Sequence, residues 1–88
     1  MNKIILINIL DNYHIRIQFQ DGETKTIDFK PLIGKGISSL LLDKEYFGKA
    51  SIDNGGGLEW PNGMDFCPNF LKDYKSKSET SSLTSHTI

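Results

Sequence analysis

FGKASIDNGGGLEWPNGMDFCP, residues 47–68, decides how this chain folds. It holds the sole tryptophan, the sole cysteine, two of the three prolines and five of the eight glycines. Its pattern is that of a hairpin followed by a tight turn. Residues 49–53 read as a short strand with Ala50 and Ile52 turned inward. Asn54, Gly55, Gly56 and Gly57 form a flexible loop, and Leu58, Glu59 and Trp60 return as the partner strand. Pro61-Asn62-Gly63 then reverses the chain, because proline presets φ at about −65° and Asn or Gly accepts the positive φ that follows. Met64, Asp65 and Phe66 extend briefly, and Pro68-Asn69 opens a last helical turn over 70–74.

Working back toward the N-terminus, residues 3–10 are rich in isoleucine. Alternation puts Ile5, Ile7 and Ile9 on one face and Ile4, Leu6 and Leu10 on the other with Asn8. A strand apolar on both faces needs cover on both. Asp11-Asn12 is turn chemistry. Tyr13, Ile15, Ile17 and Phe19 then alternate with His14, Arg16 and Gln18, as in a half-buried strand. Asp21-Gly22 has the composition of a two-residue type I′ hairpin turn. Beyond it, Lys25, Ile27 and Phe29 alternate with Thr24, Thr26 and Asp28.

Residues 30–48 change character. Pro31 suits the first position of a helical turn, which Gly34 and Gly36 soon stop. Asp43 is placed to cap residues 44–47, with Gly48 as a left-handed stop. Leu40, Leu41 and Phe47 are expected to pack on the apolar face of the strands before them. The fold class is therefore α+β: an N-terminal three-stranded antiparallel meander, short helical turns, then a second short hairpin.

Residues 76–88 differ again, since eight of these thirteen are Ser or Thr and none is aromatic. Such a segment buries too little apolar surface to offset its ordering entropy, so it reads as a disordered tail. Residues 1–75 remain as one domain. At this size a fold buries only roughly 60% of its unfolded surface, and association is a natural supplement.

The net charge is −1, with ten basic and eleven acidic residues interspersed, so no basic stripe favours direct nucleic-acid binding. One cysteine excludes an internal disulfide and fits a reducing compartment. The apolar run at the N-terminus is too short to span a membrane and has no small-residue cleavage site. A cytoplasmic protein without a membrane partner is expected.

Reactive chemistry is hard to assemble from these residues. His14 sits on a polar strand face and His86 in the tail, neither with Cys or carboxylates at metal-ligand spacing. Cys67 and His14 have no spacing that pairs them as nucleophile and base, and a lone cysteine is commonly a packed hydrophobe. Gly55-Gly56-Gly57 leads into a strand, whereas a phosphate cradle opens a helix or carries a lysine. Lys35 between Gly34 and Gly36 fails the same test. No catalytic, cofactor-binding or metal residue is assigned, and an enzyme is not expected.

Binding is the remaining class. Trp60 with Asn62 and Asp65 has two readings: an aromatic-anchored recognition patch, or a core tryptophan whose neighbours bond the turn's own backbone. Ile4, Leu6 and Leu10 form the other candidate surface. Either residues 40–47 or 70–74 cover it, or a partner protein or homodimer does.

Several of these residues together resemble a bacterial family catalogued as domain of unknown function 2442. They are Phe19-Gln20-Asp21-Gly22, the leucine-bearing middle from Leu40 to an aspartate-led turn at Phe47, and Trp60-Pro61-Asn62-Gly63-Met64-Asp65. The similarity covers residues 3–74 and implies a small α+β domain. Some members carry a following helix-turn-helix module, for which this sequence has no matching pattern. Others are encoded beside a second small protein in toxin–antitoxin-like pairs. The resemblance implies an antitoxin-like, protein-binding role. With reactive chemistry excluded above, the reading is a non-enzymatic interaction module that binds a protein encoded nearby through a sheet edge or apolar sheet face. The alternative is a regulatory or ligand-binding domain lacking its DNA-binding half.

Overall fold

The computed structural model of the chain describes residues 2–74. The Ser/Thr-rich tail, 76–88, lies outside the described residues. Strands β1 (Ile4–Ile9), β2 (His14–Phe19) and β3 (Thr24–Asp28) form an antiparallel meander in the order β1-β2-β3. Two 3₁₀ turns, Lys30–Leu32 and Gly36–Leu42, lead to the single-turn helix α1 (Lys44–Phe47). Strands β4 (Ser51–Ile52), β5 (Leu58–Glu59) and β6 (Asp65–Phe66) make a second antiparallel sheet, and helix α2 (Pro68–Asp73) follows. The expected hairpin is thus extended by the 65–66 segment into a three-stranded sheet.

The core lies on the inner face of the meander. Ile15, Ile17, Phe19, Ile27 and Phe29 from the first half meet Leu41, Phe47, Leu58, Trp60, Phe66 and Leu71 from the second. Removing one such side chain from water is worth roughly 1.5–3 kcal/mol, which is why helices as short as α1 and α2 hold. Phe29, Phe47, Trp60 and Phe66 form an aromatic knot with centroids 5.2–6.3 Å apart, mostly edge to face. Leu41 and Phe47 reach the core as expected; Leu40 instead points to solvent.

The turns depart from the sequence reading in an instructive way. Gly22 alone has positive φ (96°) in a three-residue loop closed by Gly22 N–H to Phe19 O at 2.9 Å. A type I′ turn needs two such residues. That pair occurs one hairpin earlier, at Asn12 (61°) and Tyr13 (64°). Tyr13 accepts this conformation because its carbonyl takes Phe29 N–H at 2.8 Å and its ring packs edge-on against Phe47. Gly48 is right-handed (φ −68°), so helix α1 ends without the expected left-handed stop. Its start is as expected: Asp43 accepts Glu45 N–H at 3.0 Å.

Lys25 falls on the inner row with Ile27 and Phe29. Its ammonium donates to the carbonyls of Leu71 (3.1 Å), Lys72 (2.8 Å) and Tyr74, the end of α2. A cation there satisfies carbonyls that the helix leaves unpaired and matches its dipole. Lys72 completes the clamp with Asp21 and Glu23, both at 2.6 Å, and lies 4.7 Å from the Phe19 ring centroid.

The glycine loop is packed rather than flexible. Asp53 Oδ1 accepts Gly55 and Gly57 N–H at 2.8 and 2.9 Å, and Gly56 O accepts Ile4 N–H at 2.8 Å. A Cβ on Gly57 would sit 2.4 Å from Phe66 O, and one on Gly56 would lie 2.6 Å from the Lys3 side chain. Ala50 is half-buried against the core, whereas Ile52 is exposed. The loop ties the two sheets together.

Candidate interaction surface

The outer face of the meander follows from its register. Leu6 pairs with Gln18, which pairs with Thr24; Asn8 pairs with Arg16, which pairs with Thr26. Leu10 follows, its N–H donating to His14 O at 2.9 Å. On the inner side Ile7 pairs with Ile17 and Ile9 with Ile15. The outer face is therefore mixed: leucines along one margin, then Asn8, Arg16 and Gln18, then threonines.

Register corrects the sequence reading of β1 at one position. Ile4 pairs with Phe19 and Leu6 with Gln18, so Ile5 is an extra residue, a β-bulge. Alternation breaks there, and Ile4 turns into the core at 3% exposure while Ile5 is pushed out at 54%. Ile4 is held inward by its bond to Gly56 O. It does not share a face with Leu6. The residues that remain outside are Leu6, 50% exposed, and Leu10, 42% exposed. Neither of the segments expected to cover them does so, because Leu41, Phe47 and Leu71 are committed to the inner core. Ile5 was missed because nothing marks a bulge in an unbroken Ile/Leu run.

Arg16 is exposed at the centre of this face and makes no ion pair among the described residues. Leu6, Asn8, Arg16, Gln18 and Thr24 line a shallow depression. It offers apolar contact beside a guanidinium whose N–H fork suits a carboxylate.

The second candidate set separates. Trp60 is 2% exposed, and its indole N–H donates to Phe47 O at 2.9 Å. It plugs the core. Asn62 is tied at both ends of its amide: Nδ2 donates to Ile37 O at 2.8 Å and Oδ1 accepts Met64 N–H at 3.1 Å. Trp60 N–H to Met64 O (2.8 Å) and Gly63 N–H to Trp60 O (3.0 Å) close the turn around it, with Gly63 at φ 93°. Asp65 is exposed and makes no side-chain hydrogen bond among the described residues, so it does not brace the turn.

Among the described residues no three His, Cys, Asp or Glu side chains come together as a metal site. Cys67 is exposed and not a core hydrophobe, because it precedes Pro68 at the outer start of α2. His14 Nδ1 lies 2.9 Å from Asn12 O, a local contact that braces the Asn12-Tyr13 turn. Among the described residues no helix is long and apolar enough to cross a membrane.

The one pKa displacement of consequence lies away from this face. Asp21 is held below its ordinary carboxylate value by the Lys72 hydrogen bond first and the Glu23 backbone N–H second. Lys72 is raised correspondingly by Asp21 and Glu23.

Comparison with family models matches residues 4–76 to "Protein of unknown function (DUF2442)". Comparison with curated proteins and with solved structures finds no match.

Proposed function

Given that the chain belongs to the DUF2442 family, we propose that it is a non-enzymatic protein-interaction module that docks a second protein on the outer face of its meander. The observation that supports this is a leucine margin that the described residues leave uncovered: Leu6 and Leu10 stand about half exposed with bulged Ile5 beside them. An exposed apolar patch rimmed by polar residues, here Asn8, Arg16 and Gln18, is a mark of an interaction surface. Trp60 and Asn62 drop out of the docking set, since both are spent within the fold.

The partner chemistry follows from the face. Leu6, Leu10 and Ile5 call for apolar side chains, and Arg16 for a carboxylate placed beside them. Docking of this kind works by occlusion: the meander covers a working surface of the partner. An antitoxin-like role, with the partner encoded in a neighbouring reading frame and the pair cytoplasmic, is the form that occlusion takes in this proposal. It is supported by the family resemblance and not by geometry.

The experiment is co-expression of the chain with the product of the adjacent reading frame, followed by purification on a tag carried by that product. The chain is expected to co-purify in fixed stoichiometry and to persist through gel filtration. A clean separation of the two at high concentration contradicts the proposal.

A further inference from the structure

The sequence contains two Asn-Gly pairs, Asn54-Gly55 and Asn62-Gly63. This dipeptide is the one most open to spontaneous deamidation, because glycine leaves the following backbone nitrogen unhindered. That nitrogen loses its proton to solvent base and attacks the asparagine Cγ. The Cγ–Nδ2 bond breaks and ammonia leaves, giving a five-membered succinimide. Water then opens the ring at either carbonyl, yielding aspartate or isoaspartate.

The two sites differ in what holds the asparagine. Asn62 is anchored by a donor bond to Ile37 O and an acceptor bond from Met64 N–H, so its Cγ cannot swing toward Gly63 N. Gly63 N–H is itself committed to Trp60 O at 3.0 Å. Asn54 is exposed, and its side chain makes no hydrogen bond among the described residues. Gly55 N–H donates to the Asp53 side chain at 2.8 Å and to no backbone carbonyl among the described residues, so only that side chain has to release it. We infer that Asn54 is a modification site, converting to aspartate or isoaspartate in the folded protein while Asn62 is protected.

The product matters because of where the loop sits. Isoaspartate routes the main chain through the side-chain carbons and inserts one backbone atom ahead of Gly55. Immediately downstream, Gly56 presses on Lys3 and Gly57 on Phe66 O with no space for a single added carbon. Gly56 O is also the anchor of Ile4 N–H. The extra atom is therefore transmitted to the junction of the two sheets, and the aged protein loses thermal stability.

The test is incubation of the folded chain at mildly alkaline pH and physiological temperature, with peptide mass mapping over time. A parallel sample is held in urea. In the folded chain the Asn54 peptide is expected to gain the mass of amide-to-acid conversion about tenfold faster or more than the Asn62 peptide, the factor that two ordinary hydrogen bonds supply. In urea the two rates converge. The Asn54→Gln variant, whose longer side chain closes a ring far more slowly, retains its melting temperature through the incubation while wild type drifts downward. Conversion at Asn62 as fast as at Asn54 in the folded chain overturns the inference, as does an Asn54 peptide that reacts in urea but not when folded. A fully converted chain with an unchanged melting temperature overturns the structural consequence.

Discussion

The turn at 60–65 and the outer margin of β1 both read as recognition patches in the sequence, and the fold uses them in opposite ways. Trp60 and Asn62 are residues with specific chemistry, and the structure consumes that chemistry internally: an indole N–H on Phe47 O, an amide spanning Ile37 O and Met64 N–H. Leu6 and Leu10 are generic apolar residues, and they stand about half exposed. Chemically distinctive side chains in a small domain are needed first to make its turns close. What remains available for a partner is the surplus that the core has no space to take.

The contrast can be broken most directly at the tryptophan. Trp60→Ala is expected to cost about 3–5 kcal/mol, enough to unfold a domain of this size, as read by urea denaturation. A folded variant that only loses binding would move Trp60 back among the recognition residues. Gly57→Ala comes next, because its Cβ would lie 2.4 Å from a backbone oxygen that cannot step aside. A loss of about 1–3 kcal/mol is expected, and a neutral result would show that the loop is as loose as its composition suggests.

Within the turn, Asn62→Ala should cost about 1–2 kcal/mol through two lost hydrogen bonds, while Asp65→Ala should stay within about 0.5 kcal/mol. Equal effects would mean that the two residues share a role. The smallest expected effect is electrostatic. Asp21 is exposed and its pKa is lowered, so its pairing with Lys72 stabilises the fold above the ordinary value of 3.8. That contribution fades as pH falls through the lowered folded value. Asp21→Asn should therefore lower the neutral plateau only slightly, with the wild-type and variant stability–pH curves converging in acid. A large drop at neutral pH would contradict a solvent-screened pair.

How much of this was legible in the sequence depended on whether a feature was carried by alternation or by crowding. The strands β2 and β3 were legible because Ile15, Ile17, Phe19 and Ile27 alternate with polar residues. The bulge at Ile5 was not, since a strand of Ile and Leu on both faces looks the same in either register. Glycine reports freedom of φ and says nothing about neighbours, so Gly56 and Gly57 read as a flexible loop although Lys3 and Phe66 press on them. The Asn12-Tyr13 turn was hidden for a related reason: a tyrosine at positive φ is tolerated here only because Phe47 and Phe29 N–H hold it from afar. Of the candidate site, Leu6 and Leu10 were found by counting apolar residues beyond what one face needs. Arg16 gained meaning only once the register set it between them and the threonines.

The measurement that bears most directly on the docking surface is made on one doubly substituted chain, Leu6→Ser with Leu10→Ser. Its urea midpoint and its capture by the co-expressed neighbouring protein are read side by side. Both side chains are already about half exposed, so the midpoint is expected to stay near wild type while capture is lost. Undiminished capture by a fully folded double variant would contradict the assignment of this face.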